Sequence, residues 1–107
     1  VNITCIGGMS GFVRQTTFCT SKWGMNGVTK ALAKEAGPHG VRVNAVAPGF
    51  IVTDMTLENK PAFESYRAAS PIGMLGDPEH IAEAVSYVVG AEFMTGQVIS
   101  PNGGLVI

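Results

Sequence analysis

Two apolar segments, Val1–Cys5 and Val41–Ala47, flank one long helix-patterned run that ends near Glu35. Parallel neighbours need a crossover of a dozen or more residues, most often a helix, whereas antiparallel neighbours can be joined by a tight turn. Strand, loop, helix and strand in this order form one crossover unit and confine the chain to α/β folds. The dense apolar character of Val41–Ala47 fits a strand covered on much of both faces, as in a parallel sheet. Pro48-Gly49 closes it.

Within the helical run, Gln15 to Ala36, the residues Met25, Val28, Leu32 and Ala36 recur at steps of three and four, which predicts a helix with one apolar face. Gly24, Gly27 and Ala31 form a second strip of small residues. A helical glycine costs about 1 kcal/mol relative to alanine, so the strip is expected to pack closely against a sheet or helix. Gly37-Pro38-His39-Gly40 supplies the stop signal.

Val1 to Ile6 reads as the first strand and Gly7 to Gly11 as a flexible loop. That loop has neither the G-x-G-x-x-G nor the P-loop spacing, so it is not read as a phosphate cradle. Phe50 to Asn59 reads as a loop and Pro61 to Ala69 as a short helix closed by Ser70-Pro71. Asp77-Pro78-Glu79 is a helix start, with Ile81, Ala84, Val85, Val88 and Val89 on one apolar face. Thr95 to Ser100 predicts a last strand and Asn102-Gly103-Gly104 a turn. Three parallel strands are few for an independent doubly wound sheet. With Val1 already inside a strand, residues 1–107 are expected to be an incomplete single domain.

Composition narrows the function classes. A net charge of −1 makes no electrostatic case for nucleic acid or an anionic membrane. No apolar run approaches the ~20 residues that span a bilayer, and a cytoplasmic location is expected. Cys5 and Cys19, the only two cysteines, are expected to be reduced thiols. His39 and His80 have no metal-ligand spacing with each other or with the cysteines, so no metal site is expected. Asn2-Ile3-Thr4 matches a glycosylation sequon but falls in a strand.

Several segments in their order and spacing carry a resemblance: Val1-Asn2-Ile3, Ser21-Lys22, Val43 through Ile51, Thr53-Asp54-Met55, Leu75 through Glu79, Thr95-Gly96-Gln97 and Asn102-Gly103-Gly104. The chain resembles the C-terminal half of a short-chain dehydrogenase/reductase, most similar to the 3-oxoacyl-[acyl-carrier-protein] reductase branch. The resemblance implies an α/β fold: the second half of a Rossmann-type, doubly wound parallel sheet, with a small helical region over the substrate. It implies NAD or NADP as cofactor, a small carbonyl substrate and a homo-oligomer.

In that family a serine orients the carbonyl oxygen, and a tyrosine thirteen residues later protonates it while the nicotinamide gives hydride to the carbon. A lysine four beyond the tyrosine lowers the phenol's pKa from its free value of about 10 and holds the nicotinamide ribose. Carried over by position, Lys22 matches the lysine, but Phe18 stands where the tyrosine is and Cys5 where the serine is. Phe18 has no proton to give, and Cys5 offers only a weak S–H donor. The resemblance further implies that the backbone of Pro48, Gly49 and Ile51 lies against the nicotinamide and its carboxamide, that the Thr53 hydroxyl lies near the carboxamide and pyrophosphate, and that Phe63 and Tyr66 lie near substrate. The Gly-rich turn that grips the pyrophosphate at a helix N-terminus has no counterpart here. Cofactor binding is therefore expected only with the other half of the domain present. The chain as written is expected to be inactive, with a scaffold or oligomer-partner role and a decayed fragment as alternatives.

Overall fold

A computed structural model describes all residues, 1–107. Three short parallel strands form one sheet in the order β1 (Asn2–Ile3), β2 (Ala45–Val46) and β3 (Val98–Ile99). The register pairs Asn2 with Ala45 and Ala45 with Val98. The ladder runs beyond the strands proper: Asn2 N–H donates to Asn44 O (2.9 Å), Ile6 N–H to Pro48 O (3.0 Å) and Ala47 N–H to Ile99 O (2.8 Å). Of the segment read as a strand, Val41–Ala47, only Asn44 to Ala47 is wholly buried and covered on both faces; the strand proper is Ala45–Val46, and Val41 and Arg42 are exposed. Asn44 is tolerated inside the buried part because both polar atoms of its amide have partners, Nδ2 donating to Met94 O and Oδ1 accepting from Gln97 N–H.

Four helices follow or precede these strands: α1 (Thr16–Ala36), α2 (Asp54–Leu57), α3 (Lys60–Ala69) and α4 (Pro78–Gly90). None is long and apolar enough to cross a membrane. Helix α4 begins where Asp77-Pro78 says it should, with Asp77 N–H donating to His80 Nδ1 at 2.8 Å. Its far end is held by Arg42, whose guanidinium donates to Val88 O, Val89 O and Ala91 O at 3.2, 2.9 and 2.9 Å. These are among the carbonyls that the helix itself leaves without partners.

The structure corrects several sequence expectations. Residues Ile6–Gly8 form a single 3₁₀ turn, so the first strand stops at Ile3, and Gly7 and Gly8 are buried instead of lying in a flexible loop. The Phe50–Asn59 loop contains α2 and a bridge between Ile51 and Gly76. On α1 the face that packs inward is Cys19, Asn26, Thr29 and Ala33, not the Met25–Val28–Leu32–Ala36 stripe. Val28 and Leu32 are exposed, and alanine methyls at Gly24 or Gly27 would meet nothing within 4 Å. The close packing expected of that glycine strip is thus absent within the chain. Thr29 can be buried because its hydroxyl donates to Met25 O (2.9 Å) and accepts from Asn2 Nδ2 (3.0 Å). Val89 on α4 also turns outward.

Candidate active site

Helix α1 is docked on the 3₁₀ turn through two adjacent glycines. A Cβ on Gly7 would lie 3.0 Å from the Phe18 ring, and one on Gly8 would lie 2.6 Å from the carbonyl oxygen of Lys22. Asn26 completes the contact, donating from Nδ2 to Gly8 O at 2.8 Å. Its Oδ1 is buried with no partner. The glycine pair is therefore explained by close approach of a helix. Sequence reasoning missed Asn26, although a polar residue in line with Cys19, two helical turns on, was a signal that this face met something polar.

The docking fixes Phe18 and Lys22 one turn apart on the same face, as their spacing predicts. The Lys22 ammonium lies 5.8 Å above the Phe18 ring, at the outer limit of a cation–π contact. Cys5, half-buried just before the 3₁₀ turn, shares with Phe18 a cleft of about 370 Å³ whose walls also include Phe12, Gly49, Phe50 and Tyr66. Neighbouring hydroxyls are committed elsewhere: Thr20 donates to Thr16 O, Ser21 to Phe18 O and the buried Thr4 to Val46 O.

Of the residues singled out in the sequence, Cys5, Phe18, Gly49 and Tyr66 meet in this cleft, while Lys22, Pro48, Ile51, Thr53 and Phe63 are not in its wall. Gly49 is glycine for a local reason: a Cβ there would stand 2.7 Å from the α-carbon of Asn102. The Ile51 side chain turns to a second, smaller cavity of about 190 Å³, shared with Leu75, His80 and Leu105. Its backbone is arranged differently. The Ile51–Gly76 bridge uses Phe50 O (3.1 Å) and Val52 N–H (2.8 Å), so the N–H of Ile51 points away from the bridge. Thr56 pins the same stretch, its Oγ1 donating to Ile51 O (2.9 Å) and accepting from Thr53 N–H (2.7 Å). Thr53 itself caps α2. Thr56 is another residue that sequence reasoning passed over; a threonine three after a threonine, around Asp54, was its only sign.

Among the residues singled out above, the Lys22 ammonium, the Ile51 N–H and the Tyr66 hydroxyl have no hydrogen-bond partner within the chain. An ammonium and a free backbone N–H are the kinds of donor from which ribose hydroxyls and a carboxamide oxygen accept. No three His, Cys, Asp or Glu side chains converge on a metal-sized site.

Residues 1–106 match the family model described as enoyl-(acyl carrier protein) reductase. A 3-oxoacyl-[acyl-carrier-protein] reductase of Aquifex aeolicus is 44% identical, over 98% of this chain and 44% of that protein. Carbonyl reductase family member 4 of Xenopus tropicalis is 43% identical, again over 98% of the chain and 44% of the relative. The chain therefore spans less than half the length of these relatives. Among solved structures, a 4-hydroxyisoleucine dehydrogenase complexed with NADH superposes with a TM-score of 0.90 at 27% identity, covering 98% of this chain and 45% of that one. A small-chain dehydrogenase in complex with NADPH gives 0.88 at 25% identity, covering 96% and 48%.

Proposed function

This chain belongs to the short-chain dehydrogenase/reductase family, and we propose that it forms the substrate- and nicotinamide-facing half of an NAD(P)-binding domain whose catalysis is silenced at two positions. The observation that carries this reading is the Lys22–Phe18 pair: the ammonium is kept, 5.8 Å over a ring that has lost its hydroxyl. Cys5 beside it offers only a weak S–H donor at the position where the family has its orienting serine.

In this reading Lys22 donates to the nicotinamide ribose. The Ile51 N–H, fixed by Thr56 and the Gly76 bridge, meets the carboxamide. A bound dihydronicotinamide supplies hydride to a carbonyl carbon, and 3-oxoacyl or related ketones are the substrate class that the relatives suggest. The proton for the oxygen then has no source at position 18. Loss of a positioned general acid lowers rates by about 10²–10⁴-fold. Dinucleotide binding itself requires the Gly-rich half that grips the pyrophosphate.

The test uses the full-length polypeptide that contains these residues, titrated with NADPH and NADH by fluorescence. A Phe18→Tyr, Cys5→Ser version is assayed beside it on a 3-oxoacyl substrate. The native form is expected to bind cofactor, and only the restored form to turn over. Equal turnover by both forms would end the silenced-site reading; binding by neither would remove the cofactor role.

One observation favours a second role, as an assembly partner. Trp23, Val28 and Leu32 are exposed on α1 beside Gly24 and Gly27, whose surroundings are open. An apolar helix face with a glycine strip is suited to close approach by another helix, and a second copy of the chain is its proposed occupant.

A further inference from the structure

The smaller cavity, of about 190 Å³, has in common with the Phe18 cleft only Phe50. Its walls include Ile51, Ile72, Met74, Leu75 and Leu105, and no carboxylate, ammonium or guanidinium lines it. Two lining side chains, Asn102 and His80, carry nitrogen or oxygen. The Asn102 amide is committed: Nδ2 donates to Ser100 Oγ (2.8 Å) and Val106 O (2.9 Å), and Oδ1 accepts from Gly104 N–H (2.8 Å). His80 is not. Its Nδ1 accepts from Asp77 N–H at 2.8 Å, so in the neutral imidazole the proton sits on Nε2, which has no partner within the chain. The start of α4 thus fixes the ring tautomer and leaves one N–H donor in an otherwise apolar wall.

Size and polarity select the occupant. An apolar cavity of about 150 Å³ takes up benzene, so a single six-membered ring has room here. An anion would meet the Asp77 and Glu79 carboxylates at the first turn of α4, and a cation would be desolvated with no carboxylate in the lining. A ligand with an O–H or N–H of its own would find the Asn102 oxygen already occupied. We infer that this cavity binds a neutral, single-ring nitrogen heteroarene whose ring nitrogen accepts the hydrogen bond from His80 Nε2. The site is separate from the cleft assigned to substrate and does not depend on what stands at positions 5 and 18.

The full-length polypeptide is titrated with 3-fluoropyridine and, separately, with fluorobenzene, which differs by one ring atom, and binding is followed by ligand-observed fluorine NMR. The native protein is expected to hold the pyridine about three- to tenfold more tightly, the worth of one neutral hydrogen bond. His80→Glu removes the donor but keeps an acceptor for Asp77 N–H, since glutamate three residues after the cap is a usual reciprocal partner; the preference for the pyridine is expected to vanish. Leu105→Trp, which adds bulk to the wall, is expected to weaken both ligands together. In the nitrogen-15 spectrum of the histidine rings, the His80 Nε2 resonance is expected to move with the pyridine and to stay with fluorobenzene. Equal affinity for the two ligands, a preference that survives His80→Glu, or no binding of either by the native protein would each overturn the assignment. Binding of both that is indifferent to Leu105→Trp, with a still His80 resonance, would place the ligands elsewhere and overturn it as well.

Discussion

Replacing Gly8 by alanine tests whether α1 is positioned by backbone contact with the turn before it. The added methyl would lie 2.6 Å from Lys22 O, 2.8 Å from Lys22 C and 2.9 Å from Asn26 Nδ2. Ordinary contact begins at 3.4 Å, so the helix must retreat by 3.4 − 2.6 = 0.8 Å. Two of the three atoms are backbone in the middle of a regular helix, so no rotamer change relieves the clash. Overpacking of this kind costs about 1–3 kcal/mol. Stretching the bond from Asn26 to Gly8 O adds up to about 1 kcal/mol. Reduced freedom of the unfolded chain returns about 0.4–1 kcal/mol, since Gly8 does not have positive φ. The net expectation is a loss of about 2 kcal/mol. In urea the midpoint falls with the slope unchanged. Gly11→Ala, where a methyl meets nothing within 4 Å, serves as the control and is expected to stay within about 0.5 kcal/mol. If the two variants unfold at the same urea concentration, the contact between turn and helix does not fix α1, and the position of Lys22 must be set by something else.

Arg42→Ala is expected to cost about 1–2 kcal/mol, because three carbonyls lose a charged donor at a partly exposed helix end. Faster amide hydrogen exchange confined to the last turn of α4 would accompany it, and unchanged exchange there would count against the clasp. Thr56→Val removes the group that ties Ile51 O to Thr53 N–H. It should weaken NAD(P)H binding by the full-length polypeptide about fivefold, and an unaltered affinity would separate Thr56 from the cofactor. Gly27→Ala should stabilise the unassembled chain by about 1 kcal/mol through helix propensity. It should also weaken self-association in sedimentation runs if this face carries the assembly; unchanged association would take the face out of the interface.

The length of α1 was legible because its stop signal, Gly37-Pro38, is local chemistry. Which side of α1 faces the sheet was not. The stripe of Met25, Val28 and Leu32 announces a face without saying what meets it, and the face that packs inward is half polar. Asn26 and Thr29 are tolerated there only through partners far away in sequence, Gly8 and Asn2, which no periodicity reveals. The central strand was legible from its apolar run, yet its neighbour β1 was read too long because Ile6 continues the apolar pattern into a 3₁₀ turn. Helix α2, four residues long, is too short to show a period. At the site, matched positions located Lys22, Phe18 and Cys5, but the direction of the Ile51 side chain depends on the bridge to Gly76, a contact between segments distant in the chain.

The contact between Gly49 and Asn102 bears on how such a chain can change over generations. Two of the three atoms that crowd a Cβ at position 49 are the α-carbon and carbonyl oxygen of Asn102, so no side-chain change at 102 makes room. Any descendant that keeps this sheet must keep that glycine, whether or not a nucleotide ever lies against it. Positions 5 and 18 face an open cleft and are under no such steric compulsion. In a lineage freed from catalysis, positions 5 and 18 can change while the sheet still holds Gly49 in place. For chains of this kind, the motif at 48–49 is a record of architecture, and only the residues in the cleft report whether chemistry is still done there.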